Sequence, residues 1–135
     1  MEPETRVAIS SATDIVTARQ KGRALASDLG FNGSELTLIA TAISEVARNI
    51  VDHAKHGEIV LVHGHQGNKH GIVITARDEG PGIRDIGLAM QYGYSTRKGL
   101  GVGLPGAKWL MDEFDIDSQV GIGTTVTMKK WLTRP

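Results

Sequence analysis

The sequence has no cysteine. That excludes a disulfide framework and any thiol chemistry. It has no excess of charge either: Lys+Arg and Asp+Glu are both 15, for a formal net charge of zero. Non-specific nucleic-acid binding needs a concentrated basic face, so that function class is disfavoured. No apolar run approaches the roughly 18 residues of a membrane span. The first residues, Met1-Glu2-Pro3-Glu4-Thr5-Arg6, are polar and hold no apolar signal region. A soluble cytoplasmic domain is expected, with no nucleic-acid or membrane partner. Aromatics are scarce at 4%, whereas glycine is frequent at 17 residues. Many glycines fall in the second half, which points to backbone-shaped loops. At 135 residues the chain is expected to be one domain, 1–135, with a real core. There is no repeat, low-complexity stretch or linker.

Arg6 to Ser10 alternates like a short strand. Ser11-Ala12-Thr13-Asp14 offers capping oxygens for a helix over Asp14–Leu29, which Gly30 would stop. A second helix is predicted from a cap at Ser34, with Glu35 favourable in its first turn. Leu36, Ile39, Ile43, Val46, Ala47, Ile50 and Ala54 form its apolar stripe. At about 100° per residue, Glu45 lies roughly 140° from the centre of that stripe. Asn49 and His53 follow on the same side, so the three make a polar stripe expected at a cleft edge. Gly57–Gln66 and Gly71–Asp78 read as a hairpin around Gly67-Asn68-Lys69-His70. Period two puts Ile72, Ile74, Ala76 and Asp78 on one face. Asp78 thus ends an inward apolar row and needs a donor partner. A short helix over Asp85–Gln91, a flexible stretch Gly93–Lys98 and a third helix from Gly103 to Met111 follow, with Pro105 tolerated in the first turn. Glu113–Val120 and Thr124–Leu132 form a last strand pair around Gly121-Ile122-Gly123. The expected fold is α+β: a two-layer sandwich with a mixed, largely antiparallel sheet covered on one face by about three helices.

Four constellations could carry chemistry. Glu45 and Asn49, at i and i+4, project side by side. An amide oxygen suits Mg²⁺, and a neighbouring carboxylate can take a hydroxyl proton. Taken alone, such a pair is more often just a solvated part of a helix face. Asp78 with Gly80 and Gly82 offers a carboxylate and a tight turn, fit to accept from an exocyclic amine such as that of adenine, or simply to make a surface turn. Gly101, Gly103 and Gly106 match GxGxxG without the strand that precedes a dinucleotide fingerprint, and no GK[ST] follows. What remains is free N–H groups leading into a helix N-terminus, an anion site, with Arg97 and Lys98 beside it. His63 and His65 share a strand face, and His53 and His56 could lie nearby. Without converging ligands, solvated histidine is the default over a zinc site. Eukaryotic-type kinase signatures and a Ser-His-Asp elbow are absent.

In order, Glu45-x-x-x-Asn49, Asp78-x-Gly80-x-Gly82, Gly99-x-Gly101-x-Gly103 and Gly123-Thr124 resemble the motifs of the GHKL (Bergerat-fold) ATPases, which include gyrase, MutL and histidine kinases. The resemblance spans nearly the whole chain. Within the group the chain is similar to the stand-alone serine kinases of the anti-sigma-factor type, because gyrase-like and MutL-like members need a second domain and histidine kinases a phosphoacceptor helix pair. The resemblance implies a use of ATP and Mg²⁺. Asn49 would ligate the metal and Glu45 would be the general base. Asp78 would accept from adenine, supported through water by Thr124, in a pocket shaped by Gly80 and Gly82. Gly99, Leu100, Gly101, Val102 and Gly103 would offer backbone N–H groups to phosphate oxygens. Arg97, with Lys98 as second candidate, would reach the terminal phosphate from a lid over Arg84–Lys98. The implied partners are STAS-domain antagonist or scaffold proteins as substrates and a PPM-type phosphatase activated on release, in a bacterial stress-signalling switch. An anti-sigma factor that binds sigma directly, or a nucleotide-gated binding module without transfer, are the alternatives.

Overall fold

The computed structural model describes residues 4–84, 86–90 and 103–132. Its elements run β1 (Glu4–Ile9), α1 (Ala12–Leu29), α2 (Gly33–His53), β2 (Gly57–Gln66), β3 (Lys69–Asp78), α3 (Ile86–Ala89), α4 (Gly103–Leu110), β4 (Glu113–Gln119) and β5 (Gly123–Trp131). The strands form one sheet in the order β1-β2-β3-β5-β4. Every pairing is antiparallel, so the parallel component allowed for in a mixed sheet does not occur among the described strands.

Local chemistry explains the helix ends. The Asp14 carboxylate accepts the Ser10 and Ser11 N–H groups at 2.9 and 3.1 Å, closing the start of α1. These bonds, chiefly that from the Ser10 backbone, hold the Asp14 carboxyl below its ordinary range. Gly30 ends α1 at φ 111, in the left-handed region that glycine enters without a Cβ clash. The cap of α2 is Asn32 rather than the expected Ser34. Asn caps as well as Ser, and only a cap at 32 puts Glu35 at the third helical position. There Glu35 reaches back to the Asn32 N–H at 3.4 Å. The β2–β3 hairpin is tighter than expected, since Gln66 pairs with Lys69 across a two-residue loop.

The core lies between the sheet and its helices. Register places Ile59, Leu61, Ile74, Ala76, Val126 and Met128 in adjoining inward rows. All are buried, as are Ile39, Ile43, Val46 and Ile50 on α2. Gly22 lets α1 close on α2: a Cβ there would come 2.1 Å from Ile43 Cδ1. Truncating Ile43 to alanine would cost about 2–5 kcal/mol in transfer and cavity terms. This packing holds α2 over the sheet end where β3 finishes, β5 begins and β4 finishes.

Candidate active site

Two groups of residues meet α2. One surrounds Asp78. It stands opposite Thr124 in the β3–β5 register, and Thr124 stands opposite Ser118 in the β4–β5 register. Asp78 is half-buried and its Oδ1 accepts the Gly80 N–H at 2.9 Å. This local bond supplies the donor that an inward carboxylate requires, and among the described residues no hydrogen bond engages Oδ2. The turn after Asp78 is tied to the β4–β5 turn. The Gly121 N–H donates to Pro81 O at 2.8 Å, and the Ile83 N–H donates to Ser118 Oγ at 2.7 Å. Ser118 Oγ in turn lies 2.7 Å from Thr124 Oγ1. Gly80 and Gly82 are there because nothing larger fits. A Cβ on Gly80 would lie 2.5 Å from Ala54 Cβ at the end of α2. On Gly82, at φ 80, it would lie 2.4 Å from Gln119 O.

The other group surrounds Glu45. The polar stripe predicted for a cleft edge is only partly at an edge. Glu45 is 6% exposed, Asn49 is half-buried and His53 is exposed. Burying a carboxylate is costly unless it is bonded. Glu45 Oε1 accepts the Gly103 N–H, the first residue of α4, at 3.0 Å. Its Oε2 accepts from Arg48 Nη1, also at 3.0 Å. The structure thus joins Glu45 to the end of the glycine-rich segment across 58 residues of sequence. Arg97, Lys98, Gly99, Leu100, Gly101 and Val102, with the stretch expected to be flexible, lie outside the described residues.

The profile of the histidine kinase-like ATPase domain family matches residues 9–130. Over 132 residues the chain is 48% identical to the serine/threonine-protein kinase RsbT of Bacillus subtilis (strain 168), covering 98% of this chain and 99% of that protein. It is 36% identical over 115 residues to the anti-sigma F factor of Halalkalibacterium halodurans, covering 74% of this chain and 72% of that one. The chain belongs to the histidine kinase-like ATPases, in their serine/threonine-protein kinase branch. Among solved structures it is similar to that of the RsbU and RsbW domains of Rv1364c from Mycobacterium tuberculosis, with TM-score 0.69 and 22% identity. The match covers 98% of this chain and 33% of that one, and it shows the shared α+β fold.

For a histidine kinase-like ATPase, the residues present fit ATP and a magnesium ion. The Gly80–Gly82 turn packs tightly against Ala54 and Gln119 beside Asp78, whose Oδ2 has no hydrogen bond among the described residues. Asn49 carries a hard oxygen one helical turn beyond Glu45, and no hydrogen bond among the described residues engages its amide. Mg²⁺ keeps waters and phosphate oxygens in its shell, so one protein oxygen suffices. Asp78 also borders a cavity of about 550 Å³ lined by Ala54, Gly57, Glu58, Arg77 and neighbours. Strand parity puts Glu58 and Arg77 on the helix-free face of the sheet.

Three contributors escaped sequence reasoning. Ser118 could have been found by pairing the last hairpin in register, which sets it opposite Thr124. Ala54 was read only as part of an apolar stripe, yet it backs Gly80. Arg48 gives no signal beyond its spacing of three from Glu45. The histidines fall in two separate groups, so His53 and His56 do not lie near His63 and His65 as expected. His53 and His56 are exposed at one end of β2, and His63, His65 and His70 gather at the other, with His63 Nε2 3.1 Å from His70 Nδ1. Among the described residues no three His, Cys, Asp or Glu are set to hold a metal.

Proposed function

We propose that this chain is a Mg²⁺-ATP-dependent kinase that phosphorylates a serine or threonine of STAS-domain antagonist or scaffold proteins and, once released, activates a PPM-type phosphatase. The observation that carries the proposal is the buried Glu45 carboxylate, fixed beside the end of the glycine-rich segment by the Gly103 N–H. The likeness to RsbT over nearly the full length of both chains supports the protein substrate.

In this reading Asp78 accepts the adenine amine, with Thr124 and Ser118 steadying the turn around it. Asn49 would hold Mg²⁺, which when bound offsets phosphate charge. Glu45 takes the proton of the attacking hydroxyl. The hydroxyl oxygen forms a bond to the γ-phosphorus as the bond from that phosphorus to the bridging oxygen breaks. ADP leaves with the electron pair, and the product is a phosphoserine or phosphothreonine. Such a transfer asks the protein for alignment and charge stabilisation rather than covalent chemistry. Arg97, Lys98 and the N–H groups from Gly99 to Gly103 are the proposed phosphate contacts.

The test is incubation with γ-labelled ATP, Mg²⁺ and a panel of STAS-domain proteins. Label on a serine or threonine of one of them is the expected result. A second reading, an anti-sigma factor that grips sigma directly, draws on the 36% likeness to an anti-sigma F factor. An ATP-dependent complex with sigma and no label on any STAS protein would favour it.

A further inference from the structure

We infer that Arg48 is a positioning residue for phosphoryl transfer: it holds the Glu45 carboxylate in one orientation, ready to meet the substrate hydroxyl. The inference rests on the reading of Glu45 as the base. An i,i+3 ion pair on a helix surface contributes little, because water competes for both groups. This pair is different. The Glu45 side chain is 7% exposed and that of Arg48 28%. Each Glu45 oxygen holds one donor, and the two donors come from different elements. Arg48 lies one turn on in α2, and the Gly103 N–H begins α4. Two bonds from two directions fix the plane of a carboxylate that its two methylenes would otherwise let swing. A carboxylate has about four lone-pair sites. Among the described residues two are used.

The geometry also says which donor can be spared. The Gly103 N–H sits at the mouth of a segment proposed to serve phosphate oxygens. If phosphate draws that N–H away, Arg48 alone keeps Glu45 aimed. Asn49, the other near neighbour on the helix, makes no bond to Glu45 and stays available to the metal. So the run Glu45, Arg48 and Asn49 divides into base, positioner and metal ligand within one turn of α2.

The test compares Arg48→Gln, Arg48→Lys, Glu45→Gln and the double variant Glu45→Gln/Arg48→Gln in the transfer assay, with nucleotide Kd and Tm measured on each. Misplacing a reacting group by about 1 Å costs on the order of a hundredfold. R48Q should therefore lose roughly 10- to 100-fold in kcat while nucleotide Kd and the KM for ATP stay within about twofold. R48K keeps a charge but not the planar guanidinium, and should recover to about fivefold below the parent. The double variant should be no slower than E45Q alone, since a positioner has nothing left to position. Parent-level turnover of R48Q beside an inactive E45Q overturns the inference alone. A parallel loss of kcat and nucleotide affinity in R48Q overturns it too, because that marks general disruption of the helix. Parent-level turnover of E45Q removes the base itself and the inference with it. Where R48Q unfolds, R48K carries the test: a drop of about fivefold in kcat at unchanged Kd upholds the role, and parent-level kcat overturns it.

Discussion

Glu45 and Asp78 are both carboxylates drawn in from the surface, and they are held in opposite ways. Glu45 belongs to a helix, is buried, and has each oxygen bonded, one of them by a residue 58 positions away. Asp78 belongs to a strand end, is half-buried, and is bonded at Oδ1 by its own turn. The difference matches two kinds of work. A group that must take a proton in a transition state gains from being fixed on several sides. A group that must greet an arriving ligand gains from an oxygen left open.

Substitutions can break that comparison in order of size. Glu45→Gln keeps the shape and both neighbours but cannot accept a proton as a carboxylate does. Transfer should fall by about 10²–10⁴ with nucleotide affinity within about twofold, read by labelled transfer and a binding titration. Asp78→Asn retains an oxygen for the Gly80 N–H but exchanges the open acceptor for a donor. Nucleotide affinity should weaken about ten- to a hundredfold, equivalent to roughly 1.5–3 kcal/mol, with unchanged affinity contradicting the adenine role. Gly82→Ala puts a Cβ into a left-handed turn and against Gln119 O. It should destabilise by more than about 1 kcal/mol in denaturant titration.

The smallest effect lies outside the site and serves as a control. Asp14 is held below its ordinary carboxyl range by the Ser10 N–H above all. A depressed folded-state value means stability that is present above the unfolded carboxyl range and lost as pH falls through the lower folded one. Asp14→Ala should therefore lower Tm modestly at neutral pH. The gap to the parent should close in acid, and transfer should be unaffected.

The same comparison separates what the sequence revealed from what it hid. The five strands and three long helices were readable because their apolar periods are clean and Gly30, Gly67 and Gly121 mark the turns. Asp78 is readable as a candidate because period two puts a charge at the end of an apolar row. Glu45 was readable only by its company. Periodicity alone placed it on a cleft edge, whereas the structure buries it. That error has a physical cause: helix geometry gives the direction of a side chain, but the covering residue, Gly103, comes from an element whose docking is a tertiary event. The same reason hid Arg48, since any helix can carry an arginine three residues after a glutamate. The cap of α2 was misplaced by two residues because Asn32 and Ser34 are equally good capping types. Only the reciprocal bond to Glu35 decides between them.

The most direct test of the central claim sets E45Q and D78N side by side and measures transfer at limiting and at saturating ATP. If one carboxylate moves the proton and the other receives the base, D78N should regain most of its kcat once ATP is saturating. E45Q should bind ATP as the parent does and stay inactive at every concentration. A D78N variant that binds ATP as tightly as the parent, or an E45Q variant whose transfer recovers with added ATP, would contradict the account.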